Sequence, residues 1–121
     1  MFELQIISRF AAAHCLRNFN GPCEALHGHN WRVEVAVQGE ELDEADILFD
    51  FGKLKELTRQ VLDELDHTYL NELTPFSQQN PSSELLARHI YKKIQPLLPP
   101  ALHLSRVAVW ESEDSRASYF E

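Results

Sequence analysis

Cysteine is scarce in this chain: only Cys15 and Cys23 occur in 121 residues, with no Cys-x-x-Cys pair. One thiol sits beside His14 and the other four places before His27, so both read as reduced thiols rather than a disulfide scaffold. A structural zinc would want four closed ligands, usually with two or more thiolates, and without a Cys-x-x-Cys pair that version is disfavoured. No hydrophobic run approaches the ~20 residues of a membrane span, and Met1-Phe2-Glu3 lacks a basic leader, so a cytoplasmic location is expected. Positive charge is in short supply too: 11 Lys and Arg face 19 Asp and Glu, a net charge of −8. That balance argues against a general nucleic-acid or anionic-membrane partner. It leaves room for an anionic small molecule held by a few local cations. Internal repeats, low-complexity tracts and linkers are missing as well. With 44% hydrophobic and 25% charged residues, the chain reads as a single soluble domain over residues 1–121.

The densest chemistry lies in Pro22-Cys23-Glu24-Ala25-Leu26-His27-Gly28-His29-Asn30-Trp31. In a strand, alternate side chains share a face, so His27 and His29 point the same way. Trp31, Val33, Val35 and Val37 continue their parity, while Arg32, Glu34 and Gln38 take the other face. The pair therefore stands at the entry end of a strand's apolar face. His-x-His alone is usually a solvated or hydrogen-bonded pair, and a third ligand is needed to give it weight. His14 ends the first apolar run, and antiparallel pairing of that run with the 29–39 strand would return His14 to His27. Three neutral imidazoles without a fourth protein ligand describe a catalytic zinc site with an open position.

Around this stretch, residues 2–10 read as a strand with Phe2, Leu4 and Ile6 on one face. Ile7 and Phe10 interrupt the pattern, and a bulge near Ser8-Arg9 is expected. Asn18 to Pro22 is a loop by turn chemistry, and a second strand runs from about His29 to Gln38, turning at Gly39. Glu40 to Asp46 reads as a solvated acidic connection. Asp50 caps a helix from Phe51 to about Leu65, whose core stripe is Leu54, Leu57, Val61, Leu62 and Leu65. A second helix starts near Asn80-Pro81-Ser82, with Asn80 as cap and Pro81 at the first helical position. Its apolar face is Leu86, Ile90, Ile94 and Leu97; His89 and His103 read as ordinary surface or boundary histidines. Strands at 104–111 and 116–120 close the chain as a hairpin. The order ββααββ predicts an α+β fold: one four-stranded antiparallel sheet with two helices on one face. Its two open edges favour an oligomer.

Three further groups carry chemistry. Cys23, flanked by Gly21-Pro22 and Glu24, sits in a loop where core burial is not expected. Near a metal and a histidine its thiol should be partly thiolate and able to act as a base. Asp66-His67 follows the first helix. His67 either complements the helix dipole or is oriented by Asp66 to exchange a proton with Cys23 or substrate. Beside three histidines and a loop thiol, the second role is the better reading. Glu111 shares parity with Val107 and Val109, so it projects from an apolar face and suits a pair of N–H donors on a pterin- or guanine-like ring, or a salt bridge.

Assembled, these residues resemble the 6-pyruvoyl-tetrahydropterin synthase and 6-carboxy-5,6,7,8-tetrahydropterin synthase family over nearly the whole chain. The resemblance runs through Phe10 to His14, Cys23 to Asn30, Phe49-Asp50-Phe51, Leu65 to Asn71, Asn80 to Glu84 and Trp110-Glu111. Cysteine followed after three residues by His-Gly-His looks like the bacterial 6-carboxy enzymes of the queuosine pathway. The resemblance implies the tunnelling fold, with trimers closing a barrel and two trimers stacking as a homohexamer. It implies zinc on His14, His27 and His29, proton transfer by Cys23, Asp66 and His67, and a pterin anchored by Glu111. The implied substrate is 7,8-dihydroneopterin triphosphate, converted to 6-carboxy-5,6,7,8-tetrahydropterin with loss of triphosphate and acetaldehyde. Some relatives carry a glutamate in place of the cysteine and form 6-hydroxymethyl-7,8-dihydropterin. Glu24 beside Cys23 is therefore either a second base or a solvated loop charge. A 6-pyruvoyl-tetrahydropterin synthase, a non-catalytic zinc or pterin-binding protein and a thiol hydrolase using Cys23 and His67 are the competing functions. Arg9, Arg17, Lys53 and Arg116 are the candidate triphosphate ligands.

Overall fold

The computed structural model describes residues 1–17 and 25–121. Cys23 and Glu24 lie outside the described residues, as does most of the connection that precedes His27. Among the described residues the strands and α-helices follow in the order β1 (Phe2–His14), β2 (His27–Gly39), α1 (Phe51–Asp63), β3 (Thr68–Tyr69), α2 (Ser83–Ile94), β4 (His103–Trp110) and β5 (Arg116–Tyr119). The sheet order is β3-β1-β2-β4-β5. All neighbours are antiparallel except β3, which pairs parallel to β1 through Ala12–Thr68 and Ala13–Tyr69. The expected four-stranded antiparallel sheet is thus present with a short fifth strand on its β1 edge.

Alternation drives one face of this sheet into a single core. Ile6, Phe10, Trp31, Val33, Val35, Val37, Val107 and Val109 pack with Leu54, Leu62, Leu86 and Ile90 from the two helices. Both helices therefore cover the same face, as the sequence predicts. Asp50 caps α1 by accepting from the Gly52 amide, also as expected.

Three local expectations are corrected. No bulge occurs at Ser8-Arg9: β1 pairs with β2 without interruption from Phe2 opposite Gly39 to His14 opposite His27. Phe10 lies on the Ile6 face and is buried with it, so nothing needs to bulge. The sheet's irregularity is instead between Ala36 and Val37, on the side facing β4. Second, β1 runs on to His14 and β2 starts at His27, because the three alanines after Phe10 are held by partners on both edges of β1. Third, the cap of α2 is Ser82, whose hydroxyl accepts from the Leu85 amide. The amide of Asn80 is committed elsewhere, to both backbone groups of Arg17.

Loss of this cap gives a direct check. Ser82→Ala should lower the unfolding free energy by about 1 kcal/mol, read from urea denaturation. An unchanged midpoint would mean that Ser82 does not hold the start of α2.

Candidate metal centre and active site

The register of β1 with β2 places His14 directly across from His27, and strand parity places His29 beside them. The three imidazole centroids lie 4.5 to 5.1 Å apart, and each pair meets edge-on. Trp31, fully buried, forms the wall next to them, 4.9 Å from His14 and 5.0 Å from His29, with its indole N–H donated to the Ala12 carbonyl. Backbone carbonyls then fix two of the rings. Nδ1 of His14 bonds the Pro81 carbonyl at 2.8 Å, and Nδ1 of His27 bonds the Ala25 carbonyl at 2.9 Å. A carbonyl only accepts, so both Nδ1 atoms carry the proton and both Nε2 atoms present lone pairs.

Those Nε2 atoms are 3.0 Å apart. Two lone pairs at that distance repel unless a cation lies between them or one ring takes a second proton. The donor set therefore fits a metal ion. Glu111, just past β4, completes the group: its Oε1 is 3.1 Å from His29 Nε2 and 4.0 Å from His14 Nε2. One ligand atom from each of His14, His27, His29 and Glu111 lies within 4.8 Å of the others. Glu111 is also oriented by Ser83 at the start of α2, whose hydroxyl stands 3.5 Å from Oε2. Residue types and spacing match a nitrogen-rich divalent site with room for an external ligand.

Asp66 and His67 are not among these ligands. Asp66 Oδ1 accepts from the Ala11 amide at 2.9 Å, and the His67 amide donates to the Ala11 carbonyl at 2.6 Å, so the pair is buttoned to the outer edge of β1. His67 has φ of 58°, a left-handed conformation that a non-glycine residue adopts only when its surroundings impose it. Here the two Ala11 contacts and the Thr68 hydroxyl on the Leu65 carbonyl impose it. The carboxylate of Asp66 meets His67 Nδ1 at 3.1 Å, which leaves Nε2 as the outward atom of an imidazole that is 83% exposed. The Ala11 amide first, and His67 second, hold the Asp66 carboxyl below the usual range for an aspartate.

With this geometry in hand, the comparisons with known proteins are decisive for the family. The model of the 6-pyruvoyl tetrahydropterin synthase family matches residues 3–121. The chain belongs to that family. A 6-carboxy-5,6,7,8-tetrahydropterin synthase of Synechocystis is 38% identical, over 92% of this chain and 87% of its own. The enzyme of the same name from Bacillus subtilis is 38% identical, over 80% of this chain and 68% of its own. A dihydroneopterin monophosphate aldolase of Pyrococcus furiosus is 36% identical, over 87% and 85%. The solved 6-pyruvoyl tetrahydropterin synthase of Caenorhabditis elegans superposes with a TM-score of 0.83 at 25% identity, covering 99% of this chain and 95% of that one. The fold is the tunnelling fold of this family, and the chain is a lyase of that family.

The sequence reading left Glu111 between a pterin anchor and a salt bridge, and the structure sets it against His29 and His14. It missed the groups that hold the site. Asn71 grips Cys15 through both backbone atoms, accepting from its amide and donating to its carbonyl, each at 2.9 Å. Asn80 grips Arg17 in the same way, each bond at 2.8 Å. Arg17 itself, a triphosphate candidate in the sequence, donates instead to the carbonyls of Asn71, Phe76 and Gln79. A polar side chain acting on backbone more than fifty residues away leaves no periodic signal. Asn71 had one visible mark, its place beside Leu70 at the end of the Asp66-His67 motif.

The Asp66 contacts predict a pH dependence. A carboxyl whose pKa is lower in the folded than in the unfolded chain stabilises the fold above ~4, and that contribution is lost as pH falls through the folded value. Asp66→Asn should therefore shift the urea midpoint more at pH 7 than at pH 3. An equal shift at both would contradict the role given to the Ala11 amide.

Proposed function

We propose that the chain is a zinc-dependent 6-carboxy-5,6,7,8-tetrahydropterin synthase acting on 7,8-dihydroneopterin triphosphate. The observation that carries the reading is the convergence of His14, His27 and His29, with two tautomers fixed by carbonyls, in a chain 38% identical to two synthases of that name. The spacing of Cys23 to His27 supports it, since it sets a thiol four residues before a metal ligand in the sequence.

Each residue then has a task. Zinc held by the three imidazoles would supply a Lewis acid toward the substrate's side-chain hydroxyls, making the neighbouring C–H more acidic. Cys23, as thiolate, takes a proton from that carbon. His67, fixed through Nδ1 by Asp66, presents Nε2 to carry protons to and from the thiol or substrate. Glu111 accepts the paired N–H donors of the pterin ring, with Ser83 steadying its second oxygen. A homohexamer fits the same reading, because β5 and most of β1 leave sheet edges open. No helix among the described residues is long and apolar enough to cross a membrane.

A second reading has its own support. The 36% likeness to the dihydroneopterin monophosphate aldolase, together with Glu24 next to Cys23, favours a minor 6-hydroxymethyl-7,8-dihydropterin product that depends on Glu24.

Mass spectrometry of the products formed from dihydroneopterin triphosphate tests both. The 6-carboxy product and free triphosphate are expected from the parent. No turnover would overturn the reading in favour of a binding protein, and a 6-pyruvoyl product would assign the chain to the other branch. A 6-hydroxymethyl product should vanish in Glu24→Ala, and its absence from the parent would remove the second base.

Two sets of variants check the roles. Cys23→Ala should keep the metal and lose about 10²–10⁴-fold in turnover, the usual contribution of a general base. Cys15→Ala should be nearly silent, since its thiol is buried against the Tyr69 hydroxyl and is not one of the clustered ligand atoms. His27→Ala should lose its bound zinc by elemental analysis; full retention would remove His27 from the ligands.

A further inference from the structure

The sheet face turned away from the helices carries a second concentration of chemistry. Glu34 lies on it, only 5% exposed. Three guanidiniums hold its carboxylate: Arg32 on Oε1 at 2.9 Å, and Arg106 and Arg116 on Oε2 at 3.2 and 3.1 Å. Burial alone would push the Glu34 carboxyl up, but hydrogen bonds from Arg106, Trp110 and Arg32 outweigh it and hold the group ionised. Arg32 and Arg116 also lie over the Trp110 ring, 4.9 and 5.6 Å from its centre.

One carboxylate against three arginines leaves two positive charges over in this cluster, in a chain whose net charge is −8. Donors are in excess too. The Arg32 Nε atom is buried and has no acceptor in hydrogen-bond geometry among the described residues. Such a buried N–H group costs free energy until an acceptor reaches it. A third imbalance lies next to it. Arg9 stands directly across from Arg32 in the β1–β2 register, an opposed pair of like charges that destabilises a sheet unless something offsets it. Arg9 makes no ion pair among the described residues.

A cavity of about 460 Å³ opens at this point, lined by Arg9, Asn30, Arg32, Ser112 and Glu113. Two guanidiniums, an amide and a hydroxyl converge there against a single exposed carboxylate. Holding Glu34 explains the other arginines but not Arg9, and not the spare N–H of Arg32. We propose that this cavity is a binding site for a phosphoryl oxyanion, best filled by a polyphosphate, on the opposite face of the sheet from the histidines. Planar guanidinium forks match tetrahedral oxyanions, and several oxygens can meet Arg9, Arg32, Asn30 and Ser112 together. A bound anion screens the Arg9–Arg32 repulsion and accepts from the spare Arg32 donor. Asn30 and Arg32 flank Trp31, so the site adjoins the metal-bearing strand while facing away from its ligands.

Isothermal titration calorimetry of the full chain with sodium triphosphate and with inorganic phosphate tests this. Saturable binding is expected at low salt, tighter for triphosphate and weakening as salt rises. Arg9→Gln should weaken it roughly tenfold to a hundredfold, the usual worth of a charged hydrogen bond. The same Arg9 dependence should persist in a His29→Ala background. No saturable binding, binding indifferent to Arg9→Gln, or binding lost with His29→Ala would each overturn the proposal, the last by assigning the anion to the histidine face.

Discussion

Thirteen consecutive residue pairs join β1 to β2, ending with His14 across from His27, and the candidate site depends on that one alignment. In a strand a slip of one residue turns every side chain to the other face. It would carry His14 away from His27 and expose Ile6 and Phe10. The register that buries Ile6 and Phe10 opposite Trp31, Val33 and Val35 is therefore the register that brings the imidazoles together. Core packing and metal-site assembly are one constraint, which is why the ligands stand at the end of the most buried strand in the sheet.

What the strands bring together, backbone carbonyls orient. Pro81 and Ala25 each take an Nδ1 proton and turn an Nε2 lone pair inward. Pro81 also joins the site to α2, since the next residue caps that helix and the one after it steadies Glu111. On the other side, Asn71 and Asn80 hold residues 15 and 17 as they leave β1. Short segments with no regular structure of their own thus fix the angular details that the sheet leaves open. The Asp66-His67 turn follows the same logic, with its strain at His67 held by two bonds to Ala11.

Much of this was legible in the sequence, for identifiable reasons. Strict alternation from His27 to Val37 announced both the strand and the shared face of two ligands, and Asp50 before a helical stripe announced α1. The antiparallel return of His14 followed from those. The fifth strand was not legible, because two residues of parallel pairing have no pattern of their own. The three alanines before His14 hid the end of β1, since small apolar residues carry no alternation. At α2 the local rule was indifferent, as asparagine and serine cap equally well, and the choice was made by Asn80's distant bonds to Arg17. The burial of Glu34 escaped for the same reason: its parity put it on the face away from the apolar run, and only three arginines from three strands make burial tolerable.

The central claim, that His14, His27 and His29 form one metal site with an open position, is tested most directly by X-ray absorption at the zinc edge of the purified protein. The account predicts a first shell of three imidazole nitrogens at about 2.0–2.1 Å, with the remainder made of oxygen and no sulfur. A shell of fewer than two imidazoles, or one built on thiolate sulfur at about 2.3 Å, would contradict it.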